Sequence, residues 1–542
     1  SFTSLERAWL EGHEPRQREH VVPYIKYSGL FNIGSVENEV DLSKEQHRWT
    51  VDEPQDLEFI RRIYTKLYKE GVPSFGMNEV LELLEQHPDL REVNQGIMLN
   101  EGSYRAFARE EPLPAQARNL VRSKELGVRA DRMIPARLHN LPRQYFQNVP
   151  VFVNHGKGSH VWDVDGNEYI DYSMGFGSVI LGHNYRVVTE AVGRQIQNGL
   201  VFSLPHLLEV ELCEMLVDIL PSVENVHFGS SISDIYSEAV RAARLHTGRD
   251  FVAICESGTL RDGHADFITQ NNGIPEAVRK FTLPFDPKNV ESLEFIFETY
   301  GPRVAAVVMD PIVISEPQGD FLRRVRELTE REGIVLIFDE TFTGFRLSLG
   351  GAQEYFGVTP DLTCYSNSLG NGYPIAAVAG RKEVMESFGE ILVPASFGSQ
   401  PFSLSAAKTT IAEMREKDVA GHLWEVGRRL RDGYNVLADE CDIAENTECV
   451  GVGPLTTVSF KDTLEASGII LGNLFQQECL KRGVLFSGEH NLSYSHSHDD
   501  IDQTLRVYST VMRICADALT ESNLLDRLDG ERAQFVLRSE QS

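Results

Sequence analysis

Nowhere does the 542-residue sequence run to the ~18 consecutive apolar residues that a membrane-spanning helix needs, and no signal-peptide pattern is found. No membrane partner is expected. Basic side chains are scarce: 52 Lys and Arg face 80 Asp and Glu, a net charge of −28 that would be repelled by a nucleic-acid backbone. The seven cysteines (213, 255, 364, 441, 449, 479, 515) are odd in number, scattered and without a C-x-x-C pair. That excludes a disulfide frame and a zinc ribbon, and predicts reduced, buried thiols in a cytoplasmic protein. The glycine loops "LGNGYP" and "GFRLSLGG" have neither the phosphate-loop nor the dinucleotide-binding spacing and read as tight turns.

What is present is the composition of an ordinary globular protein, too long for one core. The chain opens on Ser1 directly into a helical pattern, which reads as a segment whose start lies upstream. Residues 1–110 are short helices between polar loops. In "DEPQDLEFIRRIYTKLY" an acidic, proline-containing start leads into Leu57, Ile60, Ile63 and Leu67 at helical spacing. Residues 111–150, rich in Pro and Arg, read as a linker lying across a neighbouring surface. Alternation around Asp165-Gly166 then predicts a hairpin. Between 205 and 385 the short apolar runs "FVAIC", "VAAVVM", "IVLIF" and "IAAVAG" alternate with helical patterns, which predicts a parallel sheet covered on both faces. Residues 405–542 begin with a long helix and continue as α+β.

In an open α/β sheet, ligands bind beyond the carboxyl ends of the strands. Asp339 directly follows "IVLIF" and Asp310 directly follows "VAAVVM", so both carboxylates are expected at that edge, either as site residues or as loop and helix caps. The run "HNLSYSHSHDD" brings His490, His496 and His498 close in sequence, yet the spacing fits no common metal-ligand frame.

Three stretches, "GKGSHVWDVDGNEYIDYSMGFGSVILGH", "IFDETFTGFRLSLGGAQEYFGVTPDL" and "LGNGYPIAAVAGRKEVM", resemble class III pyridoxal-phosphate (PLP) aminotransferases, and within them glutamate-1-semialdehyde 2,1-aminomutases. The resemblance covers about 150–542. It implies the α/β fold of class I PLP-dependent transferases, with a large, mainly parallel domain (151–404) and a small α+β domain (405–542). It also implies a homodimer with sites at the interface. In such a site a lysine forms the Schiff base and moves protons at the substrate carbon. The matching position holds Asn367, and no lysine lies between 331 and 381. An amide neither forms a Schiff base nor accepts a proton at neutral pH.

Carried over residue by residue, the resemblance assigns Asp339 to the pyridine nitrogen. It assigns the phosphate turn to "SSISDIYSEAV", where Ser233 remains and Ile232 replaces a glycine. A β-branched residue there would tolerate a left-handed backbone poorly. Leu260 falls at the stacking aromatic, and Ser396 at a hydroxyl that the second subunit offers to the phosphate. With three elements altered, standard transamination is expected to be lost. PLP or pyridoxamine phosphate (PMP) is the cofactor the family implies.

The segment 1–110 resembles, through "SLERAWLEGHEPRQREHVVPYI", "RWTVDEPQDLEFIRRIY" and "VLELLEQHPDL", the C-terminal part of a sugar cytidylyltransferase of the spore-coat-polysaccharide and CMP-octulosonate synthetase type. There Asp52 would bind Mg²⁺ beside a nucleotide, as half of a site, or else act as a helix N-terminal acid. The expectation is therefore a non-catalytic aminotransferase-fold scaffold or small-molecule binder in nucleotide-sugar or surface-glycan metabolism. The alternatives are an active or deliberately inactivated aminotransferase or aminomutase, and a PMP enzyme that dispenses with the lysine.

Overall fold

Continuous apolar strands need cover on both faces, and the computed structural model supplies it. It describes residues 2–12, 24–25, 30–31, 48–51, 53–68, 75–94, 101–116, 118–134, 151–255, 274–313, 315–391, 398–463 and 467–529. Contacts divide the chain into two units, 1–110 and 111–542.

In the first unit the helix Pro54–Leu67 starts where Asp56, fully buried, accepts the Glu53 backbone N–H at 3.0 Å, Arg48 Nε and Nη2 at 2.8 Å each, and Asn94 Nδ2 at 2.9 Å. Such a charge is tolerable inside only because every lone pair is taken. The buried face of the helix is Phe59 and Ile63, packed on Val80, Leu83, Leu84 and Leu90, while Leu57 is turned outward.

In the second unit, residues expected to be a linker include the helix Val121–Met133. Asp165 of the hairpin turn accepts the N–H groups of Arg122 (2.7 Å) and Ser123 (2.8 Å) and the Ser123 hydroxyl (2.6 Å). The turn therefore caps a helix whose N-cap residue, Leu120, has no capping side chain, alongside Asn119, whose Oδ1 accepts the Val121 N–H at 3.2 Å. The strands β1 (Val153–Lys157), β2 (His160–Asp163) and β3 (Glu168–Asp171) form an antiparallel meander. The predicted hairpin joins β2 to β3, with Gly166 at φ 88°.

The central sheet is built from β4 (Asn225–Gly229), β5 (Phe251–Cys255), β6 (Thr282–Phe285), β7 (Val304–Met309), β8 (Val335–Asp339), β9 (Leu362–Tyr365) and β10 (Ala376–Gly380), in the order β4-β10-β9-β8-β7-β5-β6. Along β8 and from Ala306 to Met309 of β7, alternate residues go to opposite faces, with an irregularity in the β5–β7 pairing between Val304 and Ala306. Val304, Val307, Met309, Leu336 and Phe338 pack with the helices Val290–Tyr300 and Phe321–Glu332; Ala306, Val308, Val335 and Ile337 pack with the helix Ile232–Thr247. Both sets are apolar, which is why these strands read as unbroken runs. One expectation is corrected: β10 runs antiparallel to both neighbours, β4 and β9, so the sheet is mixed.

The remainder places the helices Pro401–Glu416 and Val419–Glu440 before β11 (Thr447–Val452) and β12 (Leu455–Phe460). Beyond the helix Gly468–Lys481, β13 (Val484–Leu485) joins β3 and β14 (Glu489–Asn491) joins β12, ahead of the helix His498–Thr520. All seven cysteines are free. Among the described residues no helix is long and apolar enough to cross a membrane.

Candidate functional site

With β10 reversed, the ends of β4, β7, β8 and β9 and the start of β10 share one edge of the sheet. Asp310, Asp339, Ile232, Ser233 and Asn367, all singled out in sequence, arrive there at the ends of β7, β8, β4 and β9. Asp339 is the last residue of β8 and nine-tenths buried. Its Oδ1 accepts the Thr341 backbone N–H at 2.9 Å and the Thr341 hydroxyl as well. Beneath the edge lies Tyr236, buried among the strand side chains. Burial, with Asp339 and then Asp310 close by, pushes its phenol well above the ordinary value, so it stays a proton donor.

The helix Ile232–Thr247 begins at the end of β4, with Ser231 as N-cap. The Ser231 hydroxyl accepts the Asp234 N–H at 3.3 Å and donates to the Asp234 carboxylate at 2.8 Å. Ser233 is exposed on the first turn. Ile232 corrects an expectation: it is the first helical residue, is not among the positions with positive φ, and buries its side chain against the sheet with Ile235 and Tyr236. Its effect is therefore to fill space, not to strain the backbone.

Asn367 opens the 3-10 turn Asn367–Gly370 that follows β9, at φ 34° and partly buried. Its Nδ2 donates to the Phe176 carbonyl at 3.0 Å. Four residues on, Asn371 (φ 47°) accepts the Leu181 N–H at 2.8 Å through Oδ1 and donates to Gly182 O at 3.2 Å. Arg346, fully buried after Phe345 (φ 60°), donates to Gly177 O at 2.6 Å, Leu492 O at 2.8 Å and the Ser368 hydroxyl at 3.3 Å. Sequence reasoning missed Phe176 and Arg346. The signal available was a phenylalanine between two glycines in "MGFGS" and the single charged residue of "TGFRLSLGG", an arginine.

Asp52, Leu260 and Ser396 lie outside the described residues, and Asp52 belongs to the other unit. The histidine run is internal. His490 is held between the Thr456 hydroxyl (2.8 Å) and the Tyr508 hydroxyl (2.7 Å), and burial pushes it down to about 3. His496 Nδ1 accepts from the Ser493 N–H and hydroxyl at 3.0 Å each, and burial pushes it down to about 4. His498 pairs with Glu425 at 3.1 Å. Among the described residues no group of three or more His, Cys, Asp or Glu is placed to hold a metal ion.

Residues 143–497 match the aminotransferase class-III family. The glutamate-1-semialdehyde 2,1-aminomutase of Aquifex aeolicus is 35% identical over 68% of this chain and 93% of its own length. That of Sulfurihydrogenibium azorense is 32% identical over 71% and 97%. Among solved structures, the PLP internal aldimine form of a Sphingopyxis FumI protein superposes with a TM-score of 0.69 at 26% identity, covering 74% of this chain and 97% of that one. A glutamate-1-semialdehyde aminomutase from Pseudomonas aeruginosa, at 21% identity and TM-score 0.64, covers 77% and 98% and shares the fold.

The edge residues fit a PLP-type cofactor only in part. Asp339 offers a buried carboxylate at a strand end. However, the side chain of Asn367 is an amide already engaged with a backbone carbonyl, and no lysine occurs between 289 and 381, the stretch that supplies β7 to β10. They do not fit an aldehyde cofactor held covalently. The match over 143–497, the aminomutase relatives and the shared α/β fold of class I PLP-dependent transferases make this chain a member of the class III aminotransferase family.

Proposed function

We propose that this protein keeps the class III aminotransferase fold without standard transamination, because Asn367 stands where the family's Schiff-base lysine would be. The observation that carries the reading is the amide at the turn after β9, which lacks a nucleophilic nitrogen and is bound to Phe176 O. The FumI relative, whose PLP is present as an internal aldimine, marks the bond an amide cannot make. The burial of the Ile232 side chain at the head of its helix supports the same reading.

In this reading the protein acts as a non-catalytic scaffold or small-molecule binder, cytoplasmic and homodimeric. The exposed apolar side chains Leu204, Leu207 and Val210 at and before the helix Leu207–Ile219 support a partner subunit. The resemblance of 1–110 to a sugar cytidylyltransferase points the pathway toward nucleotide sugars or surface glycans, with Mg²⁺ at Asp52 only where the missing half of that site is supplied. One observation favours a second reading, in which PMP binds without a covalent bond: Asp339 is present, buried and oriented by Thr341.

Thermal-shift titration with PLP and PMP separates the two. The first reading expects no midpoint shift at millimolar ligand, and no absorbing, yellow protein from Asn367→Lys. A saturable shift with PMP alone selects the second. A coloured, active Asn367→Lys variant overturns the first.

A further inference from the structure

Four successive residues, Met174, Gly175, Phe176 and Gly177, have φ of 41°, 59°, 58° and 81°. Left-handed backbone costs an ordinary L-residue about 1–2 kcal/mol. A run containing methionine and phenylalanine persists only where its surroundings hold it. Three side chains bind its carbonyls, the Ser178 hydroxyl donating to Gly175 O at 2.7 Å. From one side the buried Arg346 binds Gly177 O at 2.6 Å, and the fit is close: a Cβ on Gly177 would come within 3.0 Å of Asn491 Oδ1 and 3.4 Å of Arg346 Nη2. From the other side Asn367 Nδ2 binds Phe176 O at 3.0 Å.

Asn367 meets two demands at once. Its own φ of 34° lies toward the left-handed region that asparagine tolerates better than most side chains. Its short amide places a donor within reach of the neighbouring loop, where a lysine would bring a long, flexible stem and a strongly hydrated charge. We propose that Asn367 is a positioning residue: its amide fixes the 174–177 loop, and the Phe176 ring with it, so that the mouth of the site keeps one shape with no covalently anchored group in it. The inference deepens the reading above, and rests on it for the importance of position 367, but its test involves no cofactor.

The test is hydrogen–deuterium exchange on the full chain without PLP or PMP. The reporters are the amides that close the loop, Gly177 N–H to Ser173 O, Ser178 N–H to Gly175 O and Val179 N–H to Met174 O. Asn367→Gly keeps the backbone conformation accessible and removes only the amide. The expected result is at least a tenfold loss of protection at 177–179, with β7 unchanged. Unchanged protection at 177–179 overturns the proposal, and so does an equal loss in β7, which would mean general destabilisation. Should the glycine variant fail to fold, Asn367→Asp is nearly isosteric and puts a carboxylate oxygen against the Phe176 carbonyl, with the same expected and overturning results. A PMP-induced thermal shift would sink the loss-of-cofactor reading and leave this one standing. Unchanged exchange would do the reverse.

Discussion

Two polar regions of the second unit look alike in composition and behave in opposite ways. Around His490 and His496, titratable rings lie fully inside, close to hydroxyls and to Tyr172, with which both make ring contacts. Around Asn367, groups that do not titrate hold a backbone in conformations it would otherwise leave. The histidines are the residues a reader expects to be reactive, and their environment makes them inert. The amide looks inert and sits where the fold concentrates its strain. Residue type alone thus says little about which polar group is functional; its position relative to a strand end says more.

Acid separates the two regions most strongly. His490 and His496, held near about 3 and about 4, stay neutral in the folded protein while the unfolded chain takes up protons below its ordinary pKa of about 6.5. The contribution of these two rings is therefore expected to fall as pH drops below about 6.5, by about 1.4 kcal/mol per pH unit for each, and to be offset in part by Glu340, which burial pushes up to about 7 so that the folded protein takes up its proton before the unfolded chain does. His160, raised mainly by its hydrogen bond to Asp500, works above that window: its contribution is complete below 6.5 and is lost as pH rises. Denaturant unfolding across pH checks this: His490→Gln should remove one ring's share, about 1.4 kcal/mol per pH unit below about 6.5. A His490→Gln profile parallel to that of the parent between pH 6.5 and 4.5 would break the comparison.

Next in size is Arg346→Met, expected to cost about 3 kcal/mol, because the carbonyls of Gly177 and Leu492 lose a buried donor. A cost below about 1 kcal/mol in the same experiment would mean that the strained loop holds itself. Smaller again is Asn371→Ala, at about 2 kcal/mol, since the Leu181 N–H loses its acceptor in the interior. It should exceed the global cost of Asn367→Ala, which removes one bond from a less buried position and is expected to cost about 1 kcal/mol. Equal losses would erase the distinction between the two asparagines.

Part of this was legible in the sequence. The runs "VAAVVM" and "IVLIF" announce strands covered on both faces, and Asp339 can be placed at a strand end by counting. Asp165-Gly166 signals its hairpin, though not that Asp165 also caps a helix more than thirty residues earlier in the chain. The reversal of β10 was hidden because "IAAVAG" is buried on both faces, and such a run has the same pattern in either direction. Ile232 was misread through its backbone, since the position it takes at the head of the helix is not among those with positive φ. Phe176 and Arg346 were missed because their importance comes from partners at 367, 177 and 492, which only the fold brings near. Leu57 turned outward because Phe59, larger and two residues on, took the inner face of its helix.

The reversal of β10 has a consequence for how the site could change. A parallel return from β9 would need a crossover of a dozen or more residues. The antiparallel one is made by 366–375 alone, with both ends fastened into adjacent strands. The position at 367 therefore works as a socket in a rigid frame. An exchange at 367 reaches the 174–177 loop through the hydrogen bond to Phe176 O, while the length of the connection between β9 and β10 stays the same.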